Sequence, residues 1–425
     1  MKLSPFSIGL ALASSAFLTT PALAQYGGSA PAQPAAPAAP AQKPDAAPEK
    51  KFNISAGIRK DLIALQKAVN EKNGAAIPGL VAAAQAKAKT ADDRYAIGKL
   101  QLKAAADAND NAAIATAVDA IIASGADISS EKALLYSTVA KINYNAKNYD
   151  KAGAAFEQAL QADPNNLDSL VLLAETRQAQ KRTPEAVSLI QKAIAVRTAA
   201  GQKAEENWYK RAVAIAFEAK LPSAVALSRD WVKAYPAPKS WRDSLIIYQS
   251  TSQLDNSSLI DAMRLAQATG ALTGENDYFR FANTLIIKGY PGEAKAVLEQ
   301  GFAAKAIDRS KPTFSQLYAQ ASAKSQGDRA SLEASATAAR AAPDAKKAMV
   351  IADAYYGYGD YTKAADLYRA ALGKSGVDKD LANLRLGMSL ARSGDKAGAT
   401  AALNAAGGAQ AEVAKYWLTY LATKA

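Results

Sequence analysis

Residues 133–166 read ALLYSTVAKINYNAKNYDKAGAAFEQALQADPNN, and their pattern decides the fold. Tyr136, Val139, Ala140 and Tyr144 recur at helical spacing and share one face. A break follows at Lys147-Asn148, and a second helical run carries Tyr149, Ala152, Phe156, Ala159 and Leu160. Asp163-Pro164-Asn165-Asn166 ends that run, because proline has no amide hydrogen to continue the ladder. Two antiparallel helices approach closely only where a small side chain stands between them, here Ala140 and Ala152. The aromatic residues fill the gap toward a following hairpin.

The same frame recurs along the chain. Ala352, Tyr356, Gly359-Asp360-Tyr361, Ala364 and Tyr368 repeat it closely. Leu386-Gly387 with Gly394-Asp395 and Ala399, Tyr278 with Ala282 and Ala294, Trp208 with Ala212 and Trp231, and Leu170 with Ala174 and Ala186 repeat it more loosely. Frames start at 133, 167, 205, 238, 275, about 311, 345 and 380, a period of about 35 residues. The units near 238 and 311 are degenerate, with Trp241 and Gly327 as their anchors.

In its large, small and aromatic positions and its terminal proline, this unit resembles the tetratricopeptide repeat. The resemblance covers 133–410 well and 56–132 weakly, where hairpins at 57–88 and 92–125 match in helical pattern alone. It implies an all-α fold, a right-handed superhelical solenoid of tandem helical hairpins. The tail 411–425 places Val413, Tyr416, Trp417 and Leu421 on one face and is expected to cap the last open hairpin.

Ahead of the array the character changes. Lys2, the apolar run Ile8–Leu18 and Ala22-Leu23-Ala24 read as a signal peptide over 1–24, with cleavage before Gln25. The apolar run is shorter than the roughly 20 residues that span a bilayer. Residues 25–50 carry prolines at 31, 34, 37, 40, 44 and 48 and read as a disordered Ala/Pro-rich linker. A bacterial periplasmic location, with no membrane span after cleavage, is the expectation.

The 425 residues include no histidine and no cysteine, with a formal net charge of +12. The commonest acid–base side chain, the thiol nucleophile and thiolate metal sites are therefore absent. No phosphate-binding glycine loop or Gly-x-Ser-x-Gly elbow occurs. Ser-x-x-Lys at Ser129–Lys132 and Ser393–Lys396 lacks the partner motifs of a serine acyl-enzyme. The expectation is no enzyme, no metal and no cofactor. Nucleic acid is not an expected partner, because no recognition motif accompanies the charge.

The resemblance implies that ligands contact the concave, first-helix side of the array. Carried onto this sequence, its places are Lys141, Tyr144 and Asn145, then Glu175 and Gln178, then Tyr209 and Lys210, Lys239 and Arg242, and Arg280 and Asn283. Lys346, Tyr356, Arg385 and Arg392 continue the set. The run Lys210, Lys239, Arg242, Arg280 sets cations on successive hairpins, which suits an extended acidic peptide segment. The expected function is a scaffold or adaptor that binds protein segments. The alternative is a scaffold for exopolysaccharide or peptidoglycan, since helical repeat domains of this kind occur in glycan-handling envelope proteins and the basic balance admits an anionic polysaccharide.

Overall fold

The computed structural model describes residues 52–252 and 254–424, and from Asn53 onward they form one compact unit. The signal-peptide and linker expectations lie outside these residues. Described first are ten helices in pairs: α1 (Arg59–Asn70) with α2 (Ile77–Lys87), α3 (Ala91–Asp107) with α4 (Asn111–Ala123), α5 (Lys132–Asn145) with α6 (Tyr149–Ala162), α7 (Leu167–Ala179) with α8 (Thr183–Ala199), and α9 (Glu206–Glu218) with α10 (Ala224–Ala234). Then come α11 (Pro238–Thr251) with α12 (Asn256–Ala268) and α13 (Gly274–Ile287) with α14 (Pro291–Ala303). A single long α15 (Pro312–Ala341) precedes α16 (Lys346–Gly357) with α17 (Tyr361–Leu372), α18 (Lys379–Ser393) with α19 (Lys396–Asn404), and α20 (Ala411–Thr423).

The turn inside most pairs has one construction. The first helix ends on a residue with positive φ: Lys147 at 61°, Lys181 at 60°, Lys220 at 53°, Gly289 at 82°, Gly359 at 81° and Gly394 at 94°. The next amide bonds back to a carbonyl of the last turn, as in Asn148 to Asn143 at 2.8 Å and Leu221 to Ala216 at 2.8 Å. This closure satisfies carbonyls the helix end would leave bare. Asn166 then starts the next pair by accepting from the Ser169 amide at 3.0 Å. Ala140, Ala152, Phe156 and Ala159 are fully buried, as the close-approach argument requires.

At the amino-terminal end, Asp93 closes the first pairs. Burial on its own would raise its carboxyl, but Ser55 Oγ at 2.7 Å and the amides of Ser55, Lys89 and Thr90 donate to it and hold it down at about 2. Lys99 reaches Glu131 at 2.7 Å and ties α3 to the start of α5.

The unit expected near 311 is not a hairpin. Residues 312–341 are one continuous helix of 30 residues. Gly327-Asp328 is the same dipeptide that turns the chain at Gly359-Asp360 and Gly394-Asp395, yet here the helix runs through it; one glycine costs a helix only about 1 kcal/mol. The uninterrupted helix replaces a turn, and beyond it the chain folds back. The last pairs then lie against the preceding ones, so α16 packs closely on α14. Gly292 faces the Tyr358 ring and Gly357 faces Glu293: a Cβ on Gly357 would stand 2.7 Å from Glu293 Cβ. Tyr358 bonds Asp328 of α15 at 2.9 Å.

This reversal overturns two groove expectations. Tyr356 and Arg385 do not face an open groove; each is 4% exposed. Arg385 donates to Asp353 at 2.7 Å, to Asp261 at 3.2 Å and to Ser257 at 2.6 Å, reaching 124 and 128 residues back to Asp261 and Ser257. Arg264 lies beside it, fully buried, bidentate to Glu293 at 2.8 and 2.7 Å and bonded to Asp261 at 2.9 Å. Tyr290 and Tyr368 donate to Asp353 at 2.9 and 2.6 Å. Burial opposes the charge on Arg385, yet Asp261 and Asp353 outweigh it and raise its pKa above the ordinary guanidinium value.

Helix α20 completes the closure. It covers the last pair as expected, and it also reaches α10, α11 and α12. Tyr416 and Trp417 are fully buried, and the Tyr416 hydroxyl meets Ser228 at 3.0 Å and Ser244 at 2.8 Å, 188 and 172 residues away. Arg229 and Glu412 pair at 2.5 Å on the rim of this contact. Burying the two rings contributes on the order of 5 kcal/mol as an upper bound, against which the Trp417 Nε1 hydrogen finds no acceptor.

Three substitutions test this packing. Gly357→Ala is expected to lose about 1–3 kcal/mol by forcing α14 from α16, whereas Gly327→Ala, with nothing within 4 Å, is expected to gain about 0.5–1 kcal/mol. Urea unfolding measures both. Arg385→Met is expected to cost about 3–5 kcal/mol by leaving buried carboxylates uncompensated; a loss under about 1 kcal/mol would place Arg385 at a solvated surface.

Candidate binding surface

The surface that remains open is the first-helix face of the earlier pairs. Six of the seven exposed large apolar residues mark it, and the seventh, Val350, lies on α16. Ile63, Leu134, Phe217, Ile246, Phe279, Ile287 and Val350 make up this group among the described residues, and every one lies on the first helix of a pair. Second helices spend their apolar residues on packing. Ile246 is 46%, Phe279 40% and Ile287 70% exposed, on the neighbouring helices α11 and α13. Single exposed apolar residues are ordinary; their segregation to one class of helix is the informative feature.

Polar contacts stitch these first helices side by side. Tyr144 of α5 donates to Glu175 of α7 at 2.9 Å, and Arg211 of α9 donates to the other Glu175 oxygen and, at 3.1 Å, to Gln178. Burial, then the Glu175 carboxylate, pushes the Tyr144 hydroxyl up to about 12. Arg242 of α11 pairs with Asp277 of α13, and Arg280 of α13 donates to Gln249 of α11 at 3.2 Å. The two arginines therefore straddle one seam between neighbouring first helices.

The remaining expected residues are placed as follows. Lys141 lies 3.3 Å from Asp168, half exposed, with Asn145 exposed beside the turn. Lys239 is open, at 80% side-chain exposure, and lies 3.1 Å from Asp243. Asn283 is half-buried on α13. Lys210 leans toward its own partner helix, 3.0 Å from Glu206 and 5.6 Å from the Trp231 ring centre. Tyr209 also turns that way. Its ring meets Tyr235 edge-on, and it lines a cavity of about 460 Å³ with Ile194, Thr198 and Leu227 on the second-helix side. The cation run is thus one of partnered charges, and only Arg242 and Arg280 share a seam. Partly exposed pairs of this kind are worth about 1 kcal/mol or less, so an incoming carboxylate can replace them at small cost.

Two elements of this face escaped the sequence reading. Arg211 sits between the groove places of its unit, so the repeat frame passes over it. Ile246, Phe279 and Ile287 fall on groove places of the same frame, but at helical spacing an apolar side chain signals packing rather than contact.

A tetratricopeptide repeat model matches residues 144–200, the end of α5 through α8. No curated protein matches the chain at a significant level. Among solved structures it is similar to a tetratricopeptide repeat protein from Parabacteroides merdae, at 12% identity over 70% of this chain and 99% of that one, with a TM-score of 0.28. It is also similar to the C-terminal part of a repeat-containing protein from Cytophaga hutchinsonii, at 11% identity over 75% and 97%, with a TM-score of 0.27. A double mutant of MamA matches at 11% identity over 48% and 100%, with a TM-score of 0.30. The described residues form an all-α structure of tandem helix pairs, in which 144–200 resemble the tetratricopeptide repeat. Repeats of this kind serve in general as protein-interaction scaffolds. Among the described residues no helix is long and apolar enough to cross a membrane.

Glu175→Gln tests the stitching. Removing the carboxylate charge is expected to lower the Tyr144 pKa from about 12 part of the way toward its ordinary value, because burial remains. Carbon-13 NMR of ring-labelled tyrosine through an alkaline titration reads the shift; an unchanged value would separate Tyr144 from Glu175.

Proposed function

We propose that the chain is an exported, non-catalytic scaffold that holds extended protein segments along the first-helix face of α5 to α13. The observation that carries this reading is the segregation of exposed apolar side chains to first helices, interleaved with cations. Ile246, Phe279 and Ile287 offer apolar anchor points, and Arg242, Arg280 and Lys239 offer charge-assisted bonds to carboxylates beside them. An acidic segment with regularly spaced apolar side chains fits both features. Tyr144 and Lys141, with Asn145, extend the same face toward the amino-terminal pairs. The absence of histidine and cysteine removes the usual acid–base and nucleophilic groups. Export to a bacterial periplasm rests on Lys2, the apolar run Ile8–Leu18 and Ala22-Leu23-Ala24.

The test is crosslinking in the native cell envelope with a tagged full chain, read by mass spectrometry. The triple variant Ile246→Asp, Phe279→Asp, Ile287→Asp is expected to lose at least about 2 kcal/mol of partner affinity, roughly a thirtyfold weakening. Its melting temperature is expected to stay within a few degrees, since the three side chains are exposed. Equal recovery of the same proteins by parent and variant would move the interface elsewhere. Recovery of polysaccharide in place of protein would replace this reading with the glycan one.

A further inference from the structure

A concave feature separate from the first-helix face lies on the second-helix side, between α8 and α10. Both helices pack on α9 and scarcely on one another. The furrow between them is the cavity of about 460 Å³ that Tyr209 lines, a volume in the range that accommodates small-molecule ligands. Small side chains keep it open. Ala195 of α8, Ala212 of α9 and Ala234 of α10 stand where larger residues would close the seam. The result is a mostly apolar trough. Leu227 and Ala212 are buried in its floor, and half-buried Ile194 and Tyr209 form its walls. The Tyr209 ring is fixed edge-on against Tyr235, with ring centres 5.9 Å apart.

Two charges stand over this trough. Asp230 and Lys233 line it from α10, three residues apart, and both are exposed to solvent. Among the described residues neither makes a hydrogen bond or closes an ion pair. Other exposed pairs at the same spacing do close: Arg182 with Glu185 at 2.6 Å, Arg369 with Asp366 at 3.0 Å and Lys415 with Glu412 at 2.5 Å. The cation next to Asp230 in the chain, Arg229, is taken by Glu412 at 2.5 Å. The apolar surroundings desolvate the Asp230 carboxylate and raise its pKa above the ordinary value, against the pull of Arg229 and Lys233. The trough thus offers a carboxylate and an ammonium, both open and both unspent. Their side chains start about 5–6 Å apart at Cβ. A simple cation would meet Lys233, and a simple anion would meet Asp230. A molecule that carries an ammonium and a carboxylate on one carbon satisfies both across that short span. An apolar group on the same carbon then fills the space over Ile194, Leu227 and Tyr209.

We propose that this trough binds a free α-amino acid with a large apolar side chain, its ammonium on Asp230 and its carboxylate on Lys233. The site does not depend on the groove reading, and either can fail without the other. The full chain is titrated with leucine, methionine, phenylalanine and glycine, read by saturation-transfer NMR and calorimetry. At least one of the three apolar amino acids is expected to bind with a Kd below roughly 1 mM, and glycine about tenfold or more weaker. The N-acetyl and amide derivatives of the one that binds each lack one charge and are expected to lose about tenfold as well. Asp230→Asn and Lys233→Met are each expected to weaken binding about tenfold. Both positions are exposed and unpaired, so the melting temperature is expected to stay within a few degrees. Ala195→Trp, which fills the trough from an exposed position, is expected to abolish binding with circular dichroism unchanged. The proposal is overturned if no apolar amino acid binds, if glycine or either derivative binds as well as the parent ligand, or if Asp230→Asn binds as the unaltered chain does.

Discussion

Two guanidiniums buried among three carboxylates govern the carboxy-terminal half of this protein. Arg264 donates to Glu293 and Asp261, Arg385 donates to Asp261, Asp353 and Ser257, and Tyr290 and Tyr368 donate to Asp353 as well. Removing such charges from water costs several kcal/mol per ion before any attraction is counted. The network therefore contributes little net stability, yet it admits one arrangement. The five groups come from α12, α14, α16 and α18 and find complementary partners only when the chain has folded back. Apolar packing alone would let the late pairs slide along the early ones; the charges fix where they stop.

That constraint redistributes the molecule's surfaces. In an open array each pair touches only its neighbours and every first helix faces solvent. Here the first helices α16 and α18 are spent against α12 and α14, and α20 lies against α10 to α12 through Tyr416 and Trp417. The first-helix face that stays open is that of the earlier pairs, where Ile246, Phe279 and Ile287 lie exposed beside Arg242 and Arg280. Closure also leaves a cleft where α14, α15 and α16 meet.

Much of this was legible in the chain. The pairs, their turns and the cap follow from helical spacing interrupted by Gly, Asn, Asp and Pro. Lys147, Lys181 and Lys220 hold left-handed turns where later pairs use glycine, so the turn position was readable even though lysine is no specialist for it. The reversal was not legible. Asp261 and Arg264 stand at a spacing typical of a solvated helix pair, and nothing local says that Asp261 also takes Arg385, more than a hundred residues on. The long α15 was hidden because Gly327 sat where a frame of hairpins wanted a turn. Within the candidate surface, the repeat frame placed Arg242 and Arg280 on helices that the structure joins at one seam. It could not show that Tyr209 turns into the second-helix side, because a rotation of one residue along a helix leaves the spacing pattern unchanged.

Tyr416 meets residues 172 and 188 positions earlier in the chain, and that separation has a kinetic meaning. A repeat array assembles from local contacts, so any pair can nucleate and its neighbours add in turn. Contacts that close a long loop lose chain entropy before they return packing energy, and they slow folding. The amino-terminal pairs can therefore form on their own local contacts. The half between α10 and α20 must wait until α20 reaches it. Until then the faces of α10 to α12 that Tyr416 and Trp417 will cover remain bare, and an apolar surface awaiting its own last helix is one that a chaperone can hold.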